Sequence, residues 1–137
     1  MKVLIDTNVV IDWLAEREPF VDAAKRVVNF VESGNLDGYI SASSVTDIFY
    51  ILNRRFNHDR ALNYIRKIVS TFEVADTTTN ILLHAIESNT HDFEDAVQSE
   101  TAHNISAEYI VTRNTKDFLL SPIPALSPDA LLEVLQA

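Results

Sequence analysis

Short apolar strands alternating with amphipathic helices predict an α/β domain built on a mainly parallel sheet. Three observations carry that reading. Val3-Leu4-Ile5 is a continuous apolar run, as expected of a strand buried on both faces, and Tyr109-Ile110-Val111-Thr112 closely resembles it. Between such runs, apolar residues recur at helical spacing, as at Val21, Ala24, Val27, Val28 and Val31. Finally, only two glycines and four prolines occur in 137 residues, which argues against disorder and against a turn-rich all-β fold. The length suits one domain, and a hydrophobic share of 47% is ample for one core. Residues 1–137 are therefore read as a single domain.

The elements follow in order. The first strand, Val3–Ile5, runs into Asp6-Thr7-Asn8, where Thr7 or Asn8 can cap a helix through about Ala15. Pro19 suits the first turn of a second helix, which runs to about Ser33 and is ended by Ser33-Gly34-Asn35. A strand near Gly38–Ser41 leads through Ser43-Ser44 to a helix from about Val45 to Asn53. Asp59 can cap the next helix, through about Val69, and Phe72–Ala75 reads as a third strand. Thr78 or Thr79 opens a helix to about Ser88, and Asp92 opens another to about Asn104. After the strand at Tyr109–Thr112, Pro122 and Pro124 allow at most a short edge strand near Ala125-Leu126. Ser127-Pro128 starts a final helix with a cap and a first-turn proline.

Composition narrows the function. The chain has no cysteine, so a disulfide framework and a thiolate metal site are both excluded. The apolar run after Lys2 stops at Asp6, too short for the core of a secretory leader. No stretch approaches the ~20 apolar residues of a membrane span. A cytoplasmic protein without a membrane partner is the expectation. The net charge of −9 argues against avid, non-specific binding of nucleic acid, which normally calls for a basic surface. Local cations remain at Arg54, Arg55 and Arg60, at Arg66 and Lys67, and at Arg113 and Lys116.

Three aspartates stand out. Asp6 follows the first strand, Asp95 opens a late helix, and Asp117 lies shortly after the strand at Tyr109–Thr112. In open α/β sheets the strand ends converge on a ligand crevice. Carboxylates drawn together from distant parts of a chain repel one another, and a hard, oxygen-loving cation relieves the repulsion. Each also has a plainer reading. Asp6 and Asp92 suit helix caps, an acid in a first turn suits the helix dipole, and Asp117 suits a turn. Asp92 and Asp95 are one turn apart, so both can face the same side. Asp47 sits early in its helix and alone would attract no notice. Glu100 and His103 form a single Glu-x-x-His, where a di-iron bundle needs two such pairs. His84 and His91 lack a zinc-like pattern, and no phosphate-binding glycine loop is present. Phe49, Tyr50, Phe56, Phe72 and Phe93 are assigned to the core rather than to base stacking.

Taken in order, four segments resemble the PIN-domain family, and in particular the toxin ribonucleases of prokaryotic toxin–antitoxin pairs. They are Val3-Leu4-Ile5-Asp6-Thr7-Asn8-Val9, Ser44-Val45-Thr46-Asp47-Ile48, Asp92-Phe93-Glu94-Asp95-Ala96 and Val111-Thr112-Arg113-Asn114-Thr115-Lys116-Asp117-Phe118. Each alone is a weak motif; the ordered set spans nearly the whole chain. The resemblance implies a three-layer α/β/α domain with an acidic metal site at the strand ends. Asp6, Asp47, Asp95 and Asp117 would be the principal acids. Asp6, Asp95 and Asp117 would be metal ligands with Asp92 as accessory, and Thr7, Asn8 and Asn114 supporting polar residues. One departure is that the second acid, more often glutamate in related proteins, is here Asp47, one methylene shorter.

The implied activity is hydrolysis of RNA phosphodiester bonds with Mg2+ or Mn2+. Arg113 and Lys116 are candidates for steering the phosphate, or are simply solvated loop residues. The resemblance also implies a protein antitoxin and a homodimer. The apolar C-terminal residues Leu126, Leu131, Leu132, Val134 and Leu135 suit either a partner surface or packing on their own domain. The alternative from another class is a non-catalytic PIN-like module that binds RNA or protein without cutting; Asp47 and the acidic balance favour it. A different phosphohydrolase with an Asp-x-Asp start is disfavoured, because Asn8 holds the second position.

Overall fold

A computed structural model describes residues 1–90 and 92–137. Among the described residues, strands β1 (Lys2–Ile5), β2 (Asp37–Ser41), β3 (Glu73–Ala75), β4 (Tyr109–Val111) and β5 (Ala125–Leu126) form one sheet. Its order is β3-β2-β1-β4-β5, and every pairing is parallel. The helices are α1 (Thr7–Leu14), α2 (Val21–Glu32), α3 (Ala42–Arg55), α4 (His58–Thr71), α5 (Thr79–Glu87), α6 (Phe93–Asn104) and α7 (Pro128–Gln136). A 3-10 turn at Thr115–Phe118 follows β4, where no helical element was expected.

The period-2 alternation of the strands divides the core. Val3, Ile5, Ile40 and Val111 point to one face, which α1, α2, α3, α4 and α7 cover. Leu4 and Ile110 point to the other, where they meet Ala102 of α6 and Phe118. Helix α5 packs on α6 through Ile81, Ala85, Ala96 and Val97. The result is a three-layer α/β/α domain around a five-stranded parallel sheet. Gly38 lets β2 approach α2: a Cβ there would lie 2.7 Å from Val31 Cγ2. Gly34, at φ +80°, ends α2, and the Asn35 N–H bonds back to Phe30 O, closing the turn.

Several expectations are corrected. Asp6 itself caps α1, accepting from the Thr7 N–H, in place of Thr7 or Asn8. Asn57 caps α4 rather than Asp59, because the helix already starts at His58. Helix α2 begins at Val21, so Pro19 lies in the turn before it. Tyr50 and Phe93 are 64% and 50% exposed, so they are not core residues, whereas Phe72 is. The own-domain alternative for the C-terminal leucines agrees with the burial of Leu131 and Leu132, while Val134 stays exposed. No described helix is long and apolar enough to cross a membrane. His91 lies outside the described residues.

Position now follows from topology. From β1 the chain builds outward to β2 and β3, then returns to add β4 and β5 on the opposite side. The switch point lies between β1 and β4, and a crevice opens at their carboxyl ends.

Candidate active site

Asp6 leaves β1 at that switch point. Its buried carboxylate is held by donors from three parts of the chain. Oδ1 accepts from the Thr7 N–H and from Gln98 Nε2, each at 2.9 Å. Oδ2 accepts from Thr112 Oγ1 at 2.8 Å and, more weakly, from Asn8 Nδ2 at 3.4 Å. Thr112 closes β4 and is buried; its Oγ1 also accepts from Asn8 Nδ2 and from the Asn114 N–H. Asn8 Oδ1 in turn accepts from the Arg113 N–H at 3.2 Å. The segments following β1 and β4 are thus stitched together around one carboxylate, and its direction is set before any ligand arrives.

Asp95 enters from α6. Asp92 caps that helix, with Oδ1 accepting from the Asp95 N–H at 3.2 Å, so the capping reading of Asp92 holds. Asp95 is half-buried, and burial pushes its carboxyl up to about 7. The carboxylates of Asp92, Asp117, Asp6 and Glu94 add to the shift in that order. Four of the acids selected from the sequence therefore gather within electrostatic reach of one another. Asp47 projects from α3 into the same cavity, of about 660 Å³, as Asp6, Thr7, Asn8, Asp95 and Asn114. Asp117 is exposed on the 3-10 turn and does not line the cavity, although its charge reaches Asp95.

Of the two candidate phosphate contacts, Arg113 is engaged elsewhere and Lys116 keeps the solvated position also expected for it. Arg113 turns its side chain away from the acids onto Asp12, with Nε 2.6 Å from Oδ2 and Nη2 3.3 Å from Oδ1. Its guanidinium also lies 4.0 Å over the Phe20 ring. Lys116 is exposed on the 3-10 turn. Sequence reasoning missed Asp12, Arg17 and Gln98. Asp12 is only 1% exposed and is paired with Arg17 at 2.8 Å as well as with Arg113. An Asp inside Val9-Val10-Ile11-Asp12-Trp13-Leu14 with an Arg five residues on was a local signal. No such signal existed for Gln98, which meets Asp6 from 92 residues away.

The donor set suits a hard divalent cation: carboxylates, amides and hydroxyls, with no thiolate. Gln98 Oε1 is buried beside Asp6 without a hydrogen-bond partner among the described residues, so an acceptor remains unused there. Among the described residues no three His, Asp or Glu side chains stand close enough to hold an ion as placed. The chemistry of these donors fits such a cation, with Asp6, Asp47 and Asp95 on one cavity.

A family model described as PIN domain matches residues 2–116. Curated protein sequences yield no match. Solved structures do. The chain is similar to VapBC2 from Rickettsia felis bound to a promoter DNA fragment, at 17% identity and a TM-score of 0.74, covering 93% of this chain and 98% of that one. It is similar to a toxin–antitoxin complex from Klebsiella pneumoniae at 25% identity and TM-score 0.69, covering 92% and 97%. It also resembles VapC20 from Mycobacterium tuberculosis, a sarcin–ricin loop cleaving toxin, at 16% identity and TM-score 0.65, covering 79% and 86%. The strand order, the acids at the switch point and the family model over residues 2–116 agree: this chain belongs to the PIN-domain family.

Proposed function

We propose that the chain, acting over residues 1–137 as one domain, is a Mg2+- or Mn2+-dependent endoribonuclease and the toxin of a toxin–antitoxin pair. The observation that carries this reading is that Asp6, Asp47 and Asp95 line one cavity at the switch point, where burial, with the neighbouring carboxylates, pushes the Asp95 carboxyl up to about 7. Such crowding is costly in a metal-free protein and is relieved by a divalent cation. The fold shared with a sarcin–ricin loop cleaving toxin supports RNA as the substrate class. The likeness to a toxin–antitoxin complex supports a protein antitoxin. A homodimer and a cytoplasmic setting complete the proposal.

In this reading Asp6, Asp95 and Asp117 hold the cation, with Asp92 as accessory. An ion held there would polarise the phosphate and lower the pKa of a bound water. Thr7, Asn8 and Asn114 support the acids; the Asn8 amide and the Thr112 hydroxyl keep Asp6 directed at the crevice. Asp47, on the α3 side of the cavity, takes a proton from the attacking water. The shorter Asp47 arm and the spread of the acids favour a second reading, a non-catalytic PIN-like module that binds RNA or protein.

The deciding experiment is cleavage of a labelled mixed RNA pool with magnesium, with manganese and with chelator, alongside Asp6→Asn. Asparagine is a good helix cap, so the variant keeps α1. Metal-dependent cutting lost in the variant establishes the nuclease. A folded protein that binds RNA but cuts nothing under any condition establishes the binding module instead.

A further inference from the structure

The cavity that holds the acids contains one cation among the described residues that line it, and it is Arg17. How Arg17 is held points to its use. Asp12 is buried between two arginines: Arg17 Nε lies 2.8 Å from Oδ1, and Arg113 Nε lies 2.6 Å from Oδ2. One carboxylate cannot neutralise two guanidinium groups, so the cluster keeps a net positive charge. Arg113 engages both Asp12 oxygens and stacks on Phe20. The excess therefore resides on Arg17, whose side chain is 37% exposed. Arg17 Nη2 also reaches the Asn8 carbonyl at 3.5 Å, which places the guanidinium beside the Asp6–Asn8 turn. In a chain of net charge −9, a held, partly desolvated guanidinium beside the acids is the feature suited to an anion.

We propose that Arg17 binds a backbone phosphate of the RNA strand in the cavity, with Asp12 as the residue that orients it. The inference rests on the nuclease reading and names the group that holds the substrate. A guanidinium already fixed by Asp12 gives up little rotamer freedom on binding and presents a planar fork to phosphate oxygens.

The test uses the full-length protein and one labelled single-stranded RNA chosen from the cleaved members of the pool. Steady-state KM and kcat are measured against salt for wild type, Arg17→Gln, Arg17→Lys and Arg66→Gln. Arg17→Gln leaves Asp12 paired with Arg113, so the buried carboxylate is not stranded. Its KM should rise about tenfold to a hundredfold, with a small change in kcat, and the slope of log KM against log salt should fall by about one. Arg17→Lys keeps the charge but lacks the fork, so its slope should match wild type while KM rises several-fold. This variant also serves if the glutamine variant does not fold. Arg66→Gln makes the same change in net charge on the exposed outer surface of α4 and should leave KM alone. A wild-type KM and slope in Arg17→Gln, an equal loss in Arg66→Gln, or an unchanged KM in Arg17→Lys would each overturn the assignment while leaving the nuclease intact. Absence of cleavage by the wild type with either metal overturns the nuclease reading and this inference together.

Discussion

Asp95 shows how a single residue carries the cost of a site. Burial, with the carboxylates around it, holds its folded carboxyl up at about 7, against 3.8 for an aspartate in water. Between those values the folded state holds a proton that the unfolded chain has lost, so stability falls as pH rises through the window. Below about 4 both states are protonated and the effect vanishes from the pH dependence; above about 7 the full cost of the buried charge and its repulsion is present. Asp95→Asn removes the buried charge and its repulsion while keeping the size of the side chain. Thermal melts across pH should show the variant more stable than wild type at pH 8, with the gain shrinking towards pH 4. A gain of the same size at pH 4 and pH 8 would mean that the charge on Asp95 is not its cause. The Asp6 site predicts the opposite balance, because that carboxylate accepts from Thr7, Gln98 and Thr112. Asp6→Ala should therefore cost about 1–3 kcal/mol by stranding buried donors, where Asp6→Asn costs less; urea denaturation separates the two.

At the scale of elements, the strands and helices were legible because their signals are local. Val3-Leu4-Ile5 could only be buried, and Ser127-Pro128 could hardly do anything but begin a helix. Caps were less legible, since Asn57-His58-Asp59 offers two good candidates and the choice depends on where α4 docks. Asn57 Oδ1 accepts from the Arg60 N–H at 2.8 Å, so Asn57→Ala should cost about 1 kcal/mol and Asp59→Ala much less. Equal losses in chemical denaturation would return the cap to Asp59. Gly38 offers a sharper test of packing between elements. A methyl group there meets Val31 Cγ2 at 2.7 Å, so Gly38→Ala should destabilise by about 1–3 kcal/mol through the β2–α2 contact. Aromatic positions were misread for a related reason. Tyr50 and Phe93 fall on helical faces that the fold turns outward, beside the cavity rather than into the core.

At the scale of the whole molecule, the parallel sheet converts distant sequence into one site. The acids at Asp6, Asp92, Asp95 and Asp117 could be selected from sequence because each lies near the end of a strand or the start of a helix. Their supports could not, because Gln98 and Thr112 reach Asp6 across 92 and 106 residues, and Arg113 reaches Asp12 across 101. The same convergence brings Asp6, Asp92 and Asp117 within electrostatic reach of Asp95, with no three acids, among the described residues, in position to share an ion. A divalent cation that binds only the folded state should then act as a staple across the switch point. At about a hundred times its Kd it would add roughly 2.7 kcal/mol, a rise in Tm of about 8–12 °C for a chain of this size. Melting with manganese titrated at constant ionic strength should show that rise in wild type and lose most of it in Asp6→Asn and Asp95→Asn. A rise that survives in both variants would place the cation elsewhere on the surface. No rise at millimolar manganese would mean that the acids do not converge on an ion, and the switch-point crevice would then serve binding without cleavage.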